Sequence, residues 1–110
     1  MFDSDAETLA WYENDRDTFL ARSARVLREW IERERANKKA GASDWWKTWK
    51  WSDAFAEVLQ RPASSVLVQS ASERMSEKMP RNWRLEQYDD REAFDRLVDR
   101  FEDAVREASD

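Results

Sequence analysis

Residues 90–108 read DREAFDRLVDRFEDAVREA and carry the clearest helical pattern in the chain. Apolar side chains recur there every three or four positions, a spacing that places them on one face of an α-helix. Asp89 or Asp90 is expected to cap the first turn. The apolar face consists of Ala93, Phe94, Leu97, Val98, Phe101, Ala104, Val105 and Ala108. This stretch predicts a helix that buries one face and therefore requires other helices to pack against it.

The N-terminal third has a second helical pattern. Ser4 and Glu7 have the spacing of a capping box. An unbroken helix from there to Ala36 would be about 48 Å long, much longer than the radius of gyration of about 13 Å expected for a compact domain of this size. We therefore expect either an elongated fold or a break at residues 14–17, whose short polar side chains can cap a new helix. The predicted buried stripe contains Leu9, Tyr12, Phe19, Leu20, Val26, Leu27, Trp30 and Ile31, whereas Trp11 lies off it and is expected to be exposed.

The middle of the chain contains the only glycine, Gly41, within a stretch that predicts a helix end, a loop and a new helix start. We call residues 44–51, DWWKTWKW, the Trp/Lys-rich segment. A single helix from this segment to Gln60 would spread its apolar side chains over about 240° of arc. Since that is too wide for one buried face, either several tryptophans are exposed or the helix begins later, with Ser52 as its cap.

Residues 62–88 are open to two interpretations. Pro62 and Pro80 bound a stretch that predicts a helix over residues 63–79. The alternative is a short β-ribbon formed from residues 66–68 and 83–86. Taken with the flanking helices, the sequence predicts an all-α fold, a small bundle of three to five helices, with a short β-ribbon near residues 66–88 as the variant. Residues 1–110 are predicted to form a single helical domain.

Composition excludes several classes of function. The 110 residues include no cysteine and no histidine, so disulfides, catalytic thiolates, Ser-His arrangements and histidine-ligated zinc are all absent. A single glycine argues against the glycine-rich loops that bind phosphates. We find no long apolar run and no signal-peptide pattern, which predicts a cytoplasmic protein without a membrane span. We predict that the protein is not an enzyme and uses neither a cofactor nor a metal.

Charge is distributed unevenly along the chain. The formal net charge is −5. Residues 1–34 and 89–110 each carry nine acidic side chains and are net negative, whereas residues 35–61 carry six basic and three acidic side chains and are net positive. Such blocks either steer charged partners to different faces or neutralise one another within the fold.

The Trp/Lys-rich segment allows three interpretations. Its tryptophans belong to the core, or they form a protein interface with a basic rim, or they stack on the bases of single-stranded nucleic acid. Self-association through the same surface would make the protein a homo-oligomer. The residues predicted to bind a protein partner are Trp11, Lys38, Lys39, Trp45, Trp46, Lys47, Trp49, Lys50 and Trp51.

Two carboxylate pairs suggest an enzymatic alternative. Glu29 with Glu32, and Glu92 with Asp95, resemble the Glu-x-x-Glu and Glu-x-x-Asp helices of all-α nucleotide pyrophosphohydrolases. That resemblance implies a hydrolase in which carboxylates hold a divalent metal. Both pairs, however, project away from the apolar stripe of their own helix, which is typical of solvated side chains. The small Trp-x-Gly secretion substrates have a similar length and a central Trp turn, but the only glycine here precedes the Trp/Lys-rich segment, so their motif is absent.

The sequence therefore predicts a non-catalytic, small acidic protein that binds another macromolecule, with a protein as the preferred partner. The binding surface is either the Trp/Lys-rich segment or the acidic face of the C-terminal helix, and an inhibitor, an adaptor and a small subunit are equally compatible with both. Small acidic inhibitors and immunity proteins bind basic partners through such aligned carboxylates. The first alternative is binding of single-stranded nucleic acid, and the second is the metal-dependent nucleotide hydrolase.

Overall fold

The structure is a computed structural model, and it describes residues 2–39, 41, 50–81 and 83–110. Within these ranges the chain forms five α-helices and no β-strand. They are α1 (Asp5–Asn14), α2 (Arg16–Lys39), α3 (Trp51–Leu59), α4 (Val66–Lys78) and α5 (Arg91–Ser109), and a 3-10 turn (Leu85–Tyr88) precedes α5. The predicted all-α bundle is confirmed.

The expected break in the N-terminal helix is present. The Ser4 hydroxyl accepts a hydrogen bond from the amide of Glu7 at 3.2 Å and caps α1. The Glu7 carboxylate accepts from the amide of Asp3, one residue earlier than a capping box requires. Asp15 separates α1 from α2 and accepts from the amide of Thr18. The predicted long helix is therefore broken, and the fold is also longer in one direction, with dimensions of 41 × 28 × 24 Å.

Helix α3 begins two residues before the predicted start, because Lys50 and not Ser52 is its cap. Lys50 has an extended backbone, so helical geometry starts at Trp51. At the other end Gln60 adopts the left-handed conformation, with φ of 56°, and its amide donates to the carbonyl of Ala56. This turn and Pro62 redirect the chain toward α4.

The β-ribbon variant is wrong. Val66–Val68 form the first turn of α4, where the Ser65 hydroxyl accepts a hydrogen bond from the amide of Val68 at 3.1 Å. Helix α4 ends because Met79 precedes Pro80 and is extended, as a residue before proline prefers. The 3-10 turn begins at Leu85, within residues 83–86 that were predicted as the second strand.

Helices α2, α3, α4 and α5 surround the core. Helix α4 contacts α3 and α5, and α2 contacts the same two helices from the other side, while α1 joins the group through α2. The Phe101 ring stacks on Phe55, with ring centroids 4.0 Å apart and planes 2° from parallel. Both side chains are fully buried. The apolar face predicted for α5 is therefore what joins it to α3.

The first turn of α1 is also tied to the loop between α3 and α4. One oxygen of the Asp5 carboxylate accepts from Arg61 at 2.8 Å and the other from the amide of Leu67 at 3.1 Å. Thr8 is buried and its hydroxyl donates to the carbonyl of Leu59. None of the helices in the described part of the chain is long and apolar enough to cross a membrane.

Candidate protein-binding cleft

Two tryptophans from different parts of the chain form one wall of an open cleft. Trp51 is the first residue of α3 and is 7% exposed, with its ring against Phe101. The half-buried ring of Trp83 lies 5.2 Å from it, between ring centroids, at an angle of 36°. Trp83 is held in a turn by its own amide, which donates to the carbonyl of Pro80. The chain thus brings the end of the Trp/Lys-rich segment against a tryptophan 32 residues later.

Helix α4 contributes polar side chains to the lining of the same cleft. They lie three or four residues apart and so share one face, opposite the apolar face that α4 buries. These residues are Gln69, Ser72, Glu73 and Ser76. The amide group of Gln69 donates to the carbonyl of Ala63, and the hydroxyl of Ser72 donates to the carbonyl of Val68. The Ser72 hydroxyl therefore offers the cleft an acceptor, whereas the Gln69 amide retains both its oxygen and a second N–H donor.

Lys50 and Ser52 also line this cleft, whose volume is about 380 Å³. We call it the indole cleft. The carboxylate of Glu73 is exposed and forms no ion pair with any residue that the structure describes. The described lining of the indole cleft therefore combines two indoles with polar side chains, among which Lys50 and Glu73 carry opposite charges.

Eight of the nine predicted binding residues fall into three groups. Lys50 and Trp51 line the indole cleft, and for Trp51 the core interpretation applies because only a small part of its surface is accessible. Lys38 and Lys39 are exposed in the last turn of α2. Trp45, Trp46, Lys47 and Trp49 lie outside the described residues.

Trp11 does not lie with the others. It is half-buried rather than exposed, because it packs between Phe2 and Phe19, with ring centroids at 5.4 and 6.1 Å. The Phe2 amide bonds to the carbonyl of Gln60, just beyond the C-terminal end of α3. Trp51 begins the same helix, which is about 13 Å long, so Trp11 and Trp51 are at opposite ends of it.

Sequence reasoning missed Trp83 and the polar face of α4. The polar face had a detectable signal, because Gln69, Ser72, Glu73 and Ser76 follow the 3.6-residue period on the side away from Leu67, Ala71 and Met75. Trp83 had none, since it lies in a turn whose position depends on distant contacts.

A buried polar cluster joins α1, α2 and α5. The Glu102 carboxylate is almost inaccessible and accepts hydrogen bonds from Arg16 at 2.6 and 2.8 Å and from the Tyr12 hydroxyl at 2.9 Å. Arg106 donates to the same Tyr12 oxygen at 2.9 Å.

Arg16 and Ser23 are polar residues within the predicted apolar stripe of the N-terminal third. Arg16 lies in the stripe because its side chain reaches the Glu102 cluster. The Ser23 hydroxyl is buried and donates to the carbonyl of Phe19.

The pKa values in this cluster follow from its hydrogen bonds. The Arg16 guanidinium lowers the pKa of Glu102, against the effect of burial, and the Tyr12 hydroxyl adds to the lowering. Burial raises the pKa of Tyr12. Glu102 is thus held ionised and fully hydrogen-bonded between three helices. This arrangement fixes the helices relative to one another.

The exposed face of α5 carries the predicted row of carboxylates. Glu92 pairs with Arg96 at 3.3 Å and Asp103 approaches Arg106 at 4.0 Å. Asp95 and Asp99 form no ion pair within the described ranges. Exposed pairs of this kind contribute about 0–1 kcal/mol each, so the row is a solvated surface with partial compensation by arginine.

The carboxylate pairs behind the hydrolase alternative do not converge. Glu29 pairs with Arg25 and Glu92 with Arg96, each on its own helix. Across the described ranges, no group of three or more potential ligands is placed to hold a metal ion.

Comparison of the chain with protein-family models, with curated proteins and with solved structures finds no match.

Proposed function

We propose that this chain is a non-catalytic cytoplasmic protein that binds another protein, and that the indole cleft and the adjoining Trp/Lys-rich segment form its binding surface. The observation that carries the proposal is the Trp51–Trp83 pair at an open cleft that is also lined by polar side chains of α4. Tryptophan is enriched at the energetically dominant positions of protein interfaces, and such positions are surrounded by polar groups. An inhibitor, an adaptor and a small subunit are all consistent with this surface.

A protein partner is favoured over single-stranded nucleic acid by the charge of the cleft. Base stacking on tryptophan is productive when basic side chains neutralise the neighbouring phosphates. Among the described residues that line the indole cleft, Lys50 is the one cation and Glu73 adds a carboxylate. That carboxylate repels a phosphate backbone, whereas a protein can present a complementary cation.

The test is affinity capture followed by measurement with the purified partner. The tagged protein and its Trp83→Ala variant are used on lysate from the cells in which the gene is expressed. Phe2→Ala is the control, because Phe2 is a half-buried aromatic at the other end of α3. Circular dichroism and the melting temperature establish that each variant is folded.

We expect a captured protein to bind the wild type and Phe2→Ala with equal affinity. A tryptophan at a dominant interface position contributes about 2 kcal/mol or more, so Trp83→Ala should bind at least about 30-fold more weakly. Unchanged affinity of a folded Trp83→Ala variant would refute the proposal. Binding of a fluorescent single-stranded oligonucleotide that depends on Trp83 would instead support the nucleic-acid alternative.

A further inference from the structure

Helices α1 and α2 are separated by one residue, and the backbone on both sides of it already makes helical hydrogen bonds. The amide of Asp15 donates to the carbonyl of Trp11 at 2.8 Å, and its carbonyl accepts from the amide of Phe19 at 3.2 Å. Both bonds join residues four positions apart, as in an α-helix. Residues 5–39 include no proline and no glycine. The break can therefore straighten into one continuous helix when the amides of residues 16–18 bond to the preceding turn.

Contacts of α1 with distant elements hold it in the bent position. The buried side chains of α1 are Thr8 and Tyr12. The Thr8 hydroxyl donates to the carbonyl of Leu59 at 3.3 Å, and the Tyr12 hydroxyl donates to Glu102 at 2.9 Å. Asp5 is bonded to the loop between α3 and α4 and to the first turn of α4. These are hydrogen bonds to particular groups, so the same groups on a second copy of the chain can make each of them.

The straight form cannot keep these contacts within one chain. A continuous helix over residues 5–39 is about 52 Å long at 1.5 Å per residue, whereas the longest dimension of the fold is 41 Å. Straightening therefore carries α1 beyond the body of the molecule and leaves its docking site empty. Two chains that exchange α1 fill both docking sites, and they also gain the helical hydrogen bonds across both hinges.

We propose that this chain forms a symmetric dimer by exchanging α1, with Asp15 as the hinge and a second copy of the chain as the partner. In this dimer each Tyr12 hydroxyl donates to Glu102 of the partner subunit. The monomer dominates at low concentration, because α1 then docks on its own chain without the cost of association. The dimer forms as the protein concentration rises. None of the described residues that line the indole cleft belongs to α1, so this inference is independent of the proposed function.

The exchange is tested by unfolding a mixture of isotope-labelled and unlabelled protein and refolding it at millimolar concentration. Size-exclusion chromatography with light scattering measures the dimer fraction, which we expect to rise with concentration. Isotope-filtered nuclear magnetic resonance of the dimer detects contacts between chains. Because the Tyr12 and Phe19 ring centroids are 4.7 Å apart, the Tyr12 ring should contact Phe19 of the partner subunit. Absence of a dimer, or a dimer in which this contact occurs only within each chain, would overturn the inference.

Variants at the hinge should change the dimer fraction in opposite directions. Asp15→Ala favours the continuous helix, because alanine is the strongest helix former and cannot cap α2. Each hinge gains about threefold and the dimer has two, so the association constant should rise at least about tenfold. Insertion of Gly-Gly-Ser after Asn14 removes the helical hinge and lets α1 fold back freely, so it should abolish the dimer.

Asp99→Ala is the matched control for the hinge variants. It makes the same substitution at an exposed position of α5, a helix that is the same in both forms. Its association constant should equal that of the wild type, and circular dichroism establishes that every variant is folded. If Asp15→Ala dimerises no more strongly than Asp99→Ala, or if the insertion leaves the dimer fraction unchanged, the exchange of α1 is refuted.

Discussion

At the scale of single residues, three polar side chains converge on the carboxylate of Glu102. It accepts from Arg16 and Tyr12, and it lies 3.6 Å from Arg106. Removing one partner of a buried ion pair typically costs about 3–5 kcal/mol, because the other charge is left without water. Here the two arginine side chains are about half exposed, at 51% and 53%, so water can solvate them when the carboxylate is lost. Replacing Glu102 should therefore cost less than breaking a fully buried ion pair, about as much as losing hydrogen bonds to a charged group.

Glu102→Gln is expected to lower the free energy of unfolding by about 2 kcal/mol. The amide retains the size of the carboxylate but points two donors at groups that also donate. Urea denaturation of both proteins measures the difference. Asp99→Asn is the control on the same helix, since Asp99 is exposed, and it should change stability by less than about 0.5 kcal/mol. A Glu102→Gln protein as stable as this control would show that the cluster contributes no net stability.

The pH dependence of stability follows from the same carboxylate. The hydrogen bond from Arg16 lowers the pKa of Glu102 below its ordinary 4.5 despite burial. A group whose pKa is lower in the folded state stabilises the fold above its unfolded pKa, and this contribution is lost as the pH falls through the folded value. The melting temperature of the wild type should therefore fall more steeply than that of Glu102→Gln from about pH 5 to about pH 2. Parallel curves would contradict this assignment.

Asp5 and Asp89 should leave some acid sensitivity in the Glu102→Gln variant. Burial raises the pKa of Asp5, but its bonds to Arg61 and Leu67 outweigh burial and lower it. Arg35 lowers the pKa of Asp89 by a hydrogen bond at 2.8 Å. Like Glu102, both carboxylates therefore stabilise the folded state less as the pH falls.

At the scale of elements, local chemistry determines where helices begin and end. Helix α4 is preceded by Ser64 and Ser65, of which only Ser65 accepts from the helix, at the amide of Val68. Loss of such a cap costs about 1 kcal/mol because an amide of the first turn loses its acceptor.

Ser65→Ala should therefore destabilise the protein by about 1 kcal/mol, whereas Ser64→Ala should be nearly neutral. The two variants remove the same hydroxyl group one position apart, and thermal denaturation compares them directly. Because the α4 wall of the indole cleft starts four residues later, Ser65→Ala also tests whether fraying of α4 weakens partner binding. Equal destabilisation by both variants would show that the cap is not specific.

The helix ends were the features that the sequence predicted best. The period of α5 and its Asp90 cap, the break at Asp15 and the end of α4 before Pro80 each depend on residues within about one helical turn. Contacts between distant residues could not be predicted in this way. Arg16 and Glu102 are 86 positions apart, and periodicity alone marked Arg16 as an unexplained polar residue in an apolar stripe. The same reason kept Trp83 out of the predicted site.

At the scale of the whole molecule, the aromatic centre connects the cleft to the core. Trp51 contacts both Trp83 in the cleft wall and Phe101, and Phe101 stacks on Phe55. Helix α5 reaches α1 and α2 through Glu102, the residue next to Phe101. Two neighbouring residues of α5 thus connect the apolar core, through Phe101, with the polar cluster, through Glu102. This connection is consistent with the predicted single domain.

A single domain should unfold in one transition, whichever part of it is observed. Circular dichroism reports the helices, whereas tryptophan fluorescence reports the indoles, including Trp51 and Trp83 in the indole cleft. In a single domain the two signals should give the same urea midpoint. Phe101→Leu opens a small void between α3 and α5 and should cost about 1.5 kcal/mol. With a slope of about 1–3 kcal/mol per molar urea, both midpoints should fall together by about 0.5–1.5 M. A fluorescence midpoint below that of circular dichroism, or a shift of only one of them, would show that the indole cleft unfolds independently and would refute the single domain.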